Sequence, residues 1–223
     1  MTRRLYIVVE GQTEEEFIKD LLAPYLQCEG IYIYPVIIHT SKGHKGGFVN
    51  YDHLKNDINK LLKSQGKDVV VTTFVDFFRS PKLPGMDEWS KISDHRDRVV
   101  EMEKALKDDI NDHRFIPYIQ LHEFEALLFC GIEYIAELYP GCEKRCEQLT
   151  QALQNVGNPE LINNSPHTAP SKRVIKAIEG DNKTHYNYNK PKTGRFVTEK
   201  IGIDELRSKC KHFDEWIEKL IIY

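Results

Sequence analysis

The sequence predicts an α/β protein: a parallel sheet flanked by helices, with a helical carboxyl-terminal extension. The first observation is that short apolar, β-branched segments alternate with longer segments that carry apolar residues at helical spacing. The second is the run VVVTTFV at 69–75, which is apolar and β-branched, as expected of a strand buried on both faces. The third is that the chain from Ile132 onward is mostly helical in pattern.

Each element of the α/β part is predicted by a local pattern. Strand 5–9 is followed by Gly11 and by Thr13, a plausible cap for a helix over 14–27. The remaining elements follow in the order strand 31–38, helix 52–64, strand 69–75, helix 88–112, strand 115–121 and a helix opening at His122. We therefore place an α/β domain at 1–131 and a helical extension, packed on it, at 132–223.

Composition excludes several classes of protein. With 223 residues, 40% hydrophobic and 29% charged, the chain fits a globular protein rather than a disordered or membrane-spanning one. The amino terminus MTRRLYIVVEG has no secretory pattern, so a cytoplasmic location is the expectation. The five cysteines are scattered without a second close pair, which indicates reduced structural thiols rather than a zinc site.

The net charge of -3 is a sum of two unlike parts. Residues 171–223 carry twelve Lys and Arg against eight Asp and Glu, a balance of +4, which leaves -7 for the first 170 residues. The basic part could contact phosphates while the acidic part holds cations, although ordinary surface variation explains the asymmetry equally well.

Acidic residues follow three of the predicted strands. Glu10 ends the first strand, Asp76 the third, and Glu123 and Glu125 follow the fourth. Because ligands of an open parallel sheet gather at the carboxyl ends of its strands, these carboxylates would concentrate negative charge that a cation must neutralise. Hard oxygen ligands without cysteine favour Mg²⁺, or Mn²⁺. The simpler alternative for the 122–125 segment is the cap of a helix that packs in the core.

The segment EGQTEEE could instead be a phosphate-binding loop, but its composition argues against that. Dinucleotide and Walker loops need more glycines, and the four glutamates would repel a phosphate. Glu14, four residues after Glu10, either joins the metal site or complements the helix dipole.

Several segments also resemble one known family. LYIVVEGQTEEEF, VVVTTFVDFF, IPYIQLHEFEALLF and NNSPHTAPSKR are similar to the Toprim-like bacterial proteins grouped as the domain of unknown function 4276 family. The resemblance covers nearly the whole chain and implies a Toprim/Rossmann-like sheet that holds magnesium. It implies that Glu10 is the Toprim glutamate and Asp76 the first aspartate of Asp-x-Asp, and it gives Glu14 a metal-ligand role through the similar acidic motif of the overcoming-lysogenization-defect nucleases.

The sequence departs from this family pattern at one position. Phe78 stands where the second aspartate of Asp-x-Asp is expected, and its side chain cannot bind a metal. Either the metal is held more weakly, or Glu123 and Glu125 substitute, with His122 a third candidate. On a helix beginning at His122, residues 122 and 125 would share a face while 123 points elsewhere.

Basic residues near the same edge are candidates for substrate binding. Lys42 and Lys45 lie in a glycine-rich loop after the second strand, and Arg79 follows Asp76. Lys172 and Arg173 follow Ser171, which we expect to cap a helix whose amino terminus can hold a phosphate. The segment THYNYNKPKTGRF mixes aromatic and basic residues as base-stacking surfaces do, but we interpret it as a surface loop.

Together these features predict a magnesium-dependent Toprim-like nuclease, or a related phosphodiester-transfer enzyme, with Glu10 and Asp76 as catalytic residues. The resemblance implies a bacterial restriction or anti-phage locus and an ATPase partner. Phe78 supports an alternative, a catalytically weak module that acts as the effector partner of such an ATPase. A third hypothesis is a metal-dependent enzyme on a small phosphorylated substrate.

Overall fold

A parallel sheet forms the centre of the molecule. The computed structural model describes residues 3–39, 50–64, 66, 68–77, 82–162, 167–180 and 186–223. The strands are β1 (Arg3–Val9), β2 (Ile31–Ile37), β3 (Val69–Asp76), β4 (Phe115–Ile116) and β5 (Ile119–Gln120). Their order is β2-β1-β3-β4, with β5 pairing further along β3, and every pairing is parallel. The predicted α/β class is confirmed.

Helices surround the sheet and form most of the rest of the described chain. The first helical stretch runs as α1 (Gln12–Phe17), a π-helical turn (Ile18–Leu22) and α2 (Ala23–Gln27). The others in the first part are α3 (Tyr51–Ser64), α4 (Met86–Trp89), α5 (His95–Ile110) and a 3₁₀ helix (Phe124–Gly131). The carboxyl-terminal part contains α6 (Ile132–Leu138), α7 (Glu143–Val156), a 3₁₀ turn (Pro159–Leu161), α8 (Pro170–Glu179), α9 (Lys190–Ile201), α10 (Ile203–Lys209) and α11 (Lys211–Ile222).

Both faces of the sheet are covered, as the apolar pattern of β3 predicts. All eight residues of β3 are buried. On one face Phe74 stacks on Phe17, Tyr118 and Trp216, with ring centroids 5.5–5.7 Å away. On the other face Val71 belongs to a separate apolar cluster formed with α3 and α5. The central strand is therefore enclosed between two layers of helices.

The predicted strand 115–121 is divided in two. Pro117 and Tyr118 interrupt the ladder between β4 and β5, and the hydroxyl of Thr73 replaces the missing backbone partner. It accepts a hydrogen bond from Tyr118 N at 2.9 Å and donates one to Tyr118 O at 2.8 Å. A buried threonine in the central strand thus satisfies both backbone groups of a residue that leaves the sheet.

Two helix starts differ from the sequence prediction. Thr13 is not a cap, because α1 begins at Gln12 after Gly11 and no side chain caps it; Thr13 is instead buried. The predicted helix 88–112 is two helices, and the break lies at Asp94, whose carboxylate accepts a hydrogen bond from Asp97 N and starts α5.

The carboxyl-terminal helices share a core with the sheet. One buried apolar cluster joins Ile7 of β1 and Phe124 with Phe213 and Trp216 of α11. The division of the chain at 131/132 stays a prediction. The described cysteines are free thiols. No helix in the described ranges is long and apolar enough to cross a membrane.

Gly194 sets how closely α9 approaches the amino-terminal half. A Cβ at this position would lie 2.8 Å from Thr13 Cγ2 and 2.9 Å from Phe124 Cε1, well inside normal contact distance. We expect Gly194→Ala to lower the free energy of unfolding by about 1–3 kcal/mol through overpacking, measured by urea denaturation. Glu199→Ala, on the exposed side of the same helix, is the control and should change it by about 0.5 kcal/mol or less. Equal stability of the two variants would contradict this close packing.

Candidate functional site

The ends of β1 and β3 bring Glu10 and Asp76 together. Val9 pairs in register with Phe74, so the residues that follow both strands meet at one edge of the sheet. Glu10 Oε1 accepts a hydrogen bond from Asp76 N at 2.9 Å. Asp76 Oδ1 accepts one from Phe124 N, also at 2.9 Å, which ties the start of the 3₁₀ helix to the same edge. The backbone itself thus fixes the spacing between these segments.

Glu14 and Glu125 complete a cluster of buried carboxylates. Glu14 projects from the first turn of α1 and Glu125 from the 3₁₀ helix, and they are 3% and 2% exposed. Both approach the ammonium of Lys190, at 3.1 Å from Glu14 Oε1 and 3.4 Å from Glu125 Oε2. Asp76 Oδ2 lies 3.9 Å from the same nitrogen. Three separate parts of the chain therefore direct carboxylates at one cation.

Lys190 is the site residue that the sequence reasoning did not single out. It is the first residue of α9, and the surface loop favoured for its segment is wrong from this residue on. The side chain of Asn189 caps the helix by accepting a hydrogen bond from Lys192 N, and Pro191 lies in the first turn. Asn and Pro at this spacing are a helix-start signal, which could have identified α9 but not the direction of the lysine.

Burial and like charge perturb the ionisation of the cluster. Burial holds the pKa of Asp76 well above its ordinary value; Lys190 opposes this, and the neighbouring glutamates add to it. Burial likewise raises the pKa of Glu125, against the attraction of Lys190. For Lys190, burial lowers the pKa but the three carboxylates outweigh it, so the net direction is upward. The ammonium therefore stays protonated and supplies the positive charge that the carboxylates require.

Tyr188 forms a second contact with this cluster. Its hydroxyl donates a hydrogen bond to Glu125 Oε1 at 3.0 Å, leaving Oε2 to face Lys190. Burial raises the pKa of Tyr188, so the hydroxyl remains a donor at neutral pH. Glu125 is thus held by a neutral group from the segment before α9 and by a charged group from the first residue of α9.

The carboxylate oxygens of this cluster are suitable ligands for a hard divalent cation, but in this structure they surround the ammonium of Lys190. Carboxylate oxygens are the ligands that Mg²⁺ and Mn²⁺ prefer. Within the described residues, however, no three acidic, histidine or cysteine side chains are close enough together to form a metal-binding group. The oxygens of Glu14, Asp76 and Glu125 surround the Lys190 ammonium instead.

Glu123 and His122 contact groups other than Lys190. Glu123 Oε2 accepts a hydrogen bond from Ser171 N at 2.9 Å, which joins the site to the first turn of α8. Ser171 is not the expected cap, since α8 begins at Pro170 after Ala169 and no side chain caps it. His122 adopts a left-handed backbone with φ 66°, and its burial, together with the neighbouring His95, lowers its pKa to about 4.

The predicted substrate-binding residues fall into two groups. Lys42, Lys45 and Arg79 lie outside the described residues, as does Phe78. Lys172 and Arg173 are described and line a basic pocket between α7 and α8.

Replacing Lys190 should show how strongly the buried carboxylates destabilise the fold when they have no counter-ion. We expect Lys190→Gln to lower the free energy of unfolding by about 2 kcal/mol, because three buried carboxylates lose their counter-ion. Millimolar Mg²⁺ or Mn²⁺ should then raise the melting temperature of Lys190→Gln more than that of the wild type, because the cation replaces the ammonium. Lys192→Gln, exposed in the same turn of α9, is the matched control. An equal response to the cation in all three proteins would contradict a cation site here.

Removing a buried charge should have the opposite effect. In buffer with a chelator we expect Asp76→Asn to stabilise the protein at neutral pH by about 1 kcal/mol, seen as a melting temperature about 2–4 °C higher. The unfolded chain releases the Asp76 proton at about pH 4, whereas the folded protein retains it to higher pH. The contribution of Asp76 to the free energy of unfolding therefore falls as the pH rises from its pKa in the unfolded chain to its higher pKa in the fold. Asp76→Asn should therefore show a flatter pH profile, and a lower melting temperature at neutral pH would contradict the assignment.

Comparison with known proteins places the chain in a family. A solved structure described as the C-terminal region of the Burkholderia pseudomallei OLD protein aligns with 99% of this chain and 100% of its own, at 17% identity and a TM-score of 0.47. No curated protein matches the sequence. The family model described as domain of unknown function (DUF4276) matches residues 9–221, which confirms the resemblance seen in the sequence motifs. The chain belongs to the DUF4276 family.

Proposed function

We propose that this protein is a Toprim-like, magnesium- or manganese-dependent nuclease, or a related phosphodiester-transfer enzyme, that acts on nucleic acid. One observation carries the proposal. Carboxylates from α1, the end of β3 and the 3₁₀ helix converge on the ammonium of Lys190. A fourth carboxylate, that of Glu10, accepts a hydrogen bond from Asp76 N at the end of β3. Buried groups of like charge destabilise a fold, and such clusters are therefore found mainly at catalytic or ligand-binding sites, where their charge has a function.

The metal ligands in this proposal are Glu10, Glu14, Asp76 and Glu125. Glu123 is a weaker candidate, because its carboxylate is bonded to Ser171 N. When bound, a divalent cation would polarise a phosphoryl group and stabilise charge on the attacking and leaving oxygens.

The chain's own groups position the substrate and its charge. The Asp76 and Glu10 carboxylates are held by backbone N–H groups, so they need little reorganisation. The Lys190 ammonium faces the carboxylates and carries a positive charge of the kind that attracts a phosphoryl oxygen. Lys172 and Arg173 supply positive charge beyond the carboxylate cluster. Lys42, Lys45 and Arg79, which lie outside the described residues, stay candidates from the sequence alone.

A second candidate function is a catalytically weak module that serves as the effector partner of an ATPase. The position of Lys190 favours it, because an ammonium that neutralises the cluster permanently would leave no place for a metal. Phe78 in place of a second aspartate points the same way. A bacterial restriction or anti-phage locus suits either candidate.

A cleavage assay separates the two candidates. Labelled single- and double-stranded DNA and RNA are incubated with the protein and Mg²⁺ or Mn²⁺, beside Glu10→Gln and Asp76→Asn. We expect cutting by the wild type to fall at least about 100-fold in both variants, because each loses a ligand charge that stabilises the transition state. Glu15→Gln is the matched control, since this neighbouring glutamate pairs with Lys19 on the surface of α1 and should cut at the wild-type rate.

Two other results would change the assignment. Cutting that persists in both variants would exclude this carboxylate cluster as the active site. Intact nucleic acid in every condition, both without and with an ATPase encoded beside the gene, would favour the effector module.

A further inference from the structure

A basic pocket lies between α7 and α8, apart from the carboxylate cluster. It has a volume of about 280 Å³. Its charged or titratable lining groups are Arg145 from α7 and His167, Lys172, Arg173 and Lys176 from α8 and the segment before it. No aspartate or glutamate is among the described residues that line it. Such a pocket attracts anions.

The two arginines are held in place by groups that leave their charge intact. Arg145 Nε donates to Ala177 O at 2.6 Å, and Arg173 Nε donates to Thr168 O at 2.7 Å. Within the described ranges, Arg145, Lys172 and Arg173 form no ion pair with a carboxylate. Carbonyl contacts orient a guanidinium without neutralising it, so the charge and remaining N–H donors stay available to a ligand.

The pocket is joined to the carboxylate cluster through one turn of helix. Ser171 N, in the first turn of α8, donates to Glu123 Oε2, and Lys172 is the next residue. Glu123 in turn precedes Phe124, whose N–H is bonded to Asp76. The helix that carries Lys172 is therefore hydrogen-bonded directly to the segment that holds Glu125.

We propose that this pocket binds a phosphate of the nucleic-acid backbone at a distance from the bond to be cut. The inference rests on the proposed function, because it names how the same substrate is held. Guanidinium and ammonium groups bind phosphate oxygens well, and contacts to backbone phosphates carry no sequence information. The pocket would thus let the protein bind its substrate independently of sequence. It supplies local positive charge in a protein whose net charge is -3.

Metal-free binding tests this proposal separately from cleavage. The affinity of the intact protein for a fluorescent 20-nucleotide single strand is measured by anisotropy in EDTA over a range of salt concentrations. Lys172→Gln/Lys176→Gln removes two exposed charges of the pocket, and Arg173→Gln removes one oriented guanidinium. We expect the double variant to bind about 3- to 30-fold more weakly. The slope of log affinity against log salt should become shallower by roughly 0.7 for each phosphate that the variant no longer neutralises.

Matched controls separate the pocket from general charge. Lys144→Gln/Lys219→Gln removes the same charge from exposed positions outside this pocket and should keep the wild-type salt slope. A strand with uncharged methylphosphonate linkages should bind the wild type and Lys172→Gln/Lys176→Gln alike. Circular dichroism and the melting temperature check that each variant is folded.

Three outcomes would overturn the proposal. One is an unchanged affinity and salt slope in both pocket variants; another is an equal weakening in Lys144→Gln/Lys219→Gln. The third is that the pocket binds only free phosphate. Inorganic phosphate would then raise the melting temperature of the wild type but not of the pocket variants, while the wild type and the variants bind the strand equally well. The binding assay contains no metal, so its result does not depend on cleavage. A wild type that binds the strand through the pocket but shows no cutting in the cleavage assay would contradict the nuclease function alone.

Discussion

The pairing of one ammonium with three buried carboxylates is the constraint on which this edge of the molecule depends. Glu14, Asp76 and Glu125 come from three different elements, and without a cation their mutual repulsion and reduced hydration would push those elements apart. Lys190 offsets part of that cost, and it can do so because α9 begins at this position and directs its first side chain toward the carboxylates. The helix start is therefore as much part of the site as the carboxylates are.

The packing of α9 follows from the same requirement. A long side chain can reach a buried carboxylate only if its backbone comes close, and Gly194, one turn later, lets α9 contact Thr13 and Phe124 directly. The two residues contacted flank the site on α1 and on the 3₁₀ helix. The carboxyl-terminal helices thus close the catalytic edge proposed for the sheet, and they share the apolar core that covers one of its faces.

The charge distribution acquires a physical meaning in three dimensions. The acidic amino-terminal part concentrates carboxylates at the ends of β1 and β3, whereas the basic carboxyl-terminal part contributes Lys190 to the cluster and Lys172, Arg173 and Lys176 to the pocket beyond it. The helices therefore present positive charge beside the carboxylates at the edge of the sheet. A protein of net charge -3 can present such a surface because opposite charges are separated in space rather than mixed.

The sequence by itself determined the sheet, its buried central strand and the meeting of Glu10 and Asp76, because strand periodicity and the common edge of parallel strands are local and topological properties. The family followed from motifs that lie along nearly the whole chain. Only the tertiary structure decided that Lys190 faces the carboxylates, that Glu123 turns toward Ser171, and that Arg145 lies with Lys172 and Arg173 in one pocket. These partners come from distant parts of the chain, and side-chain direction across such separations is set by how whole helices pack, which no local pattern records.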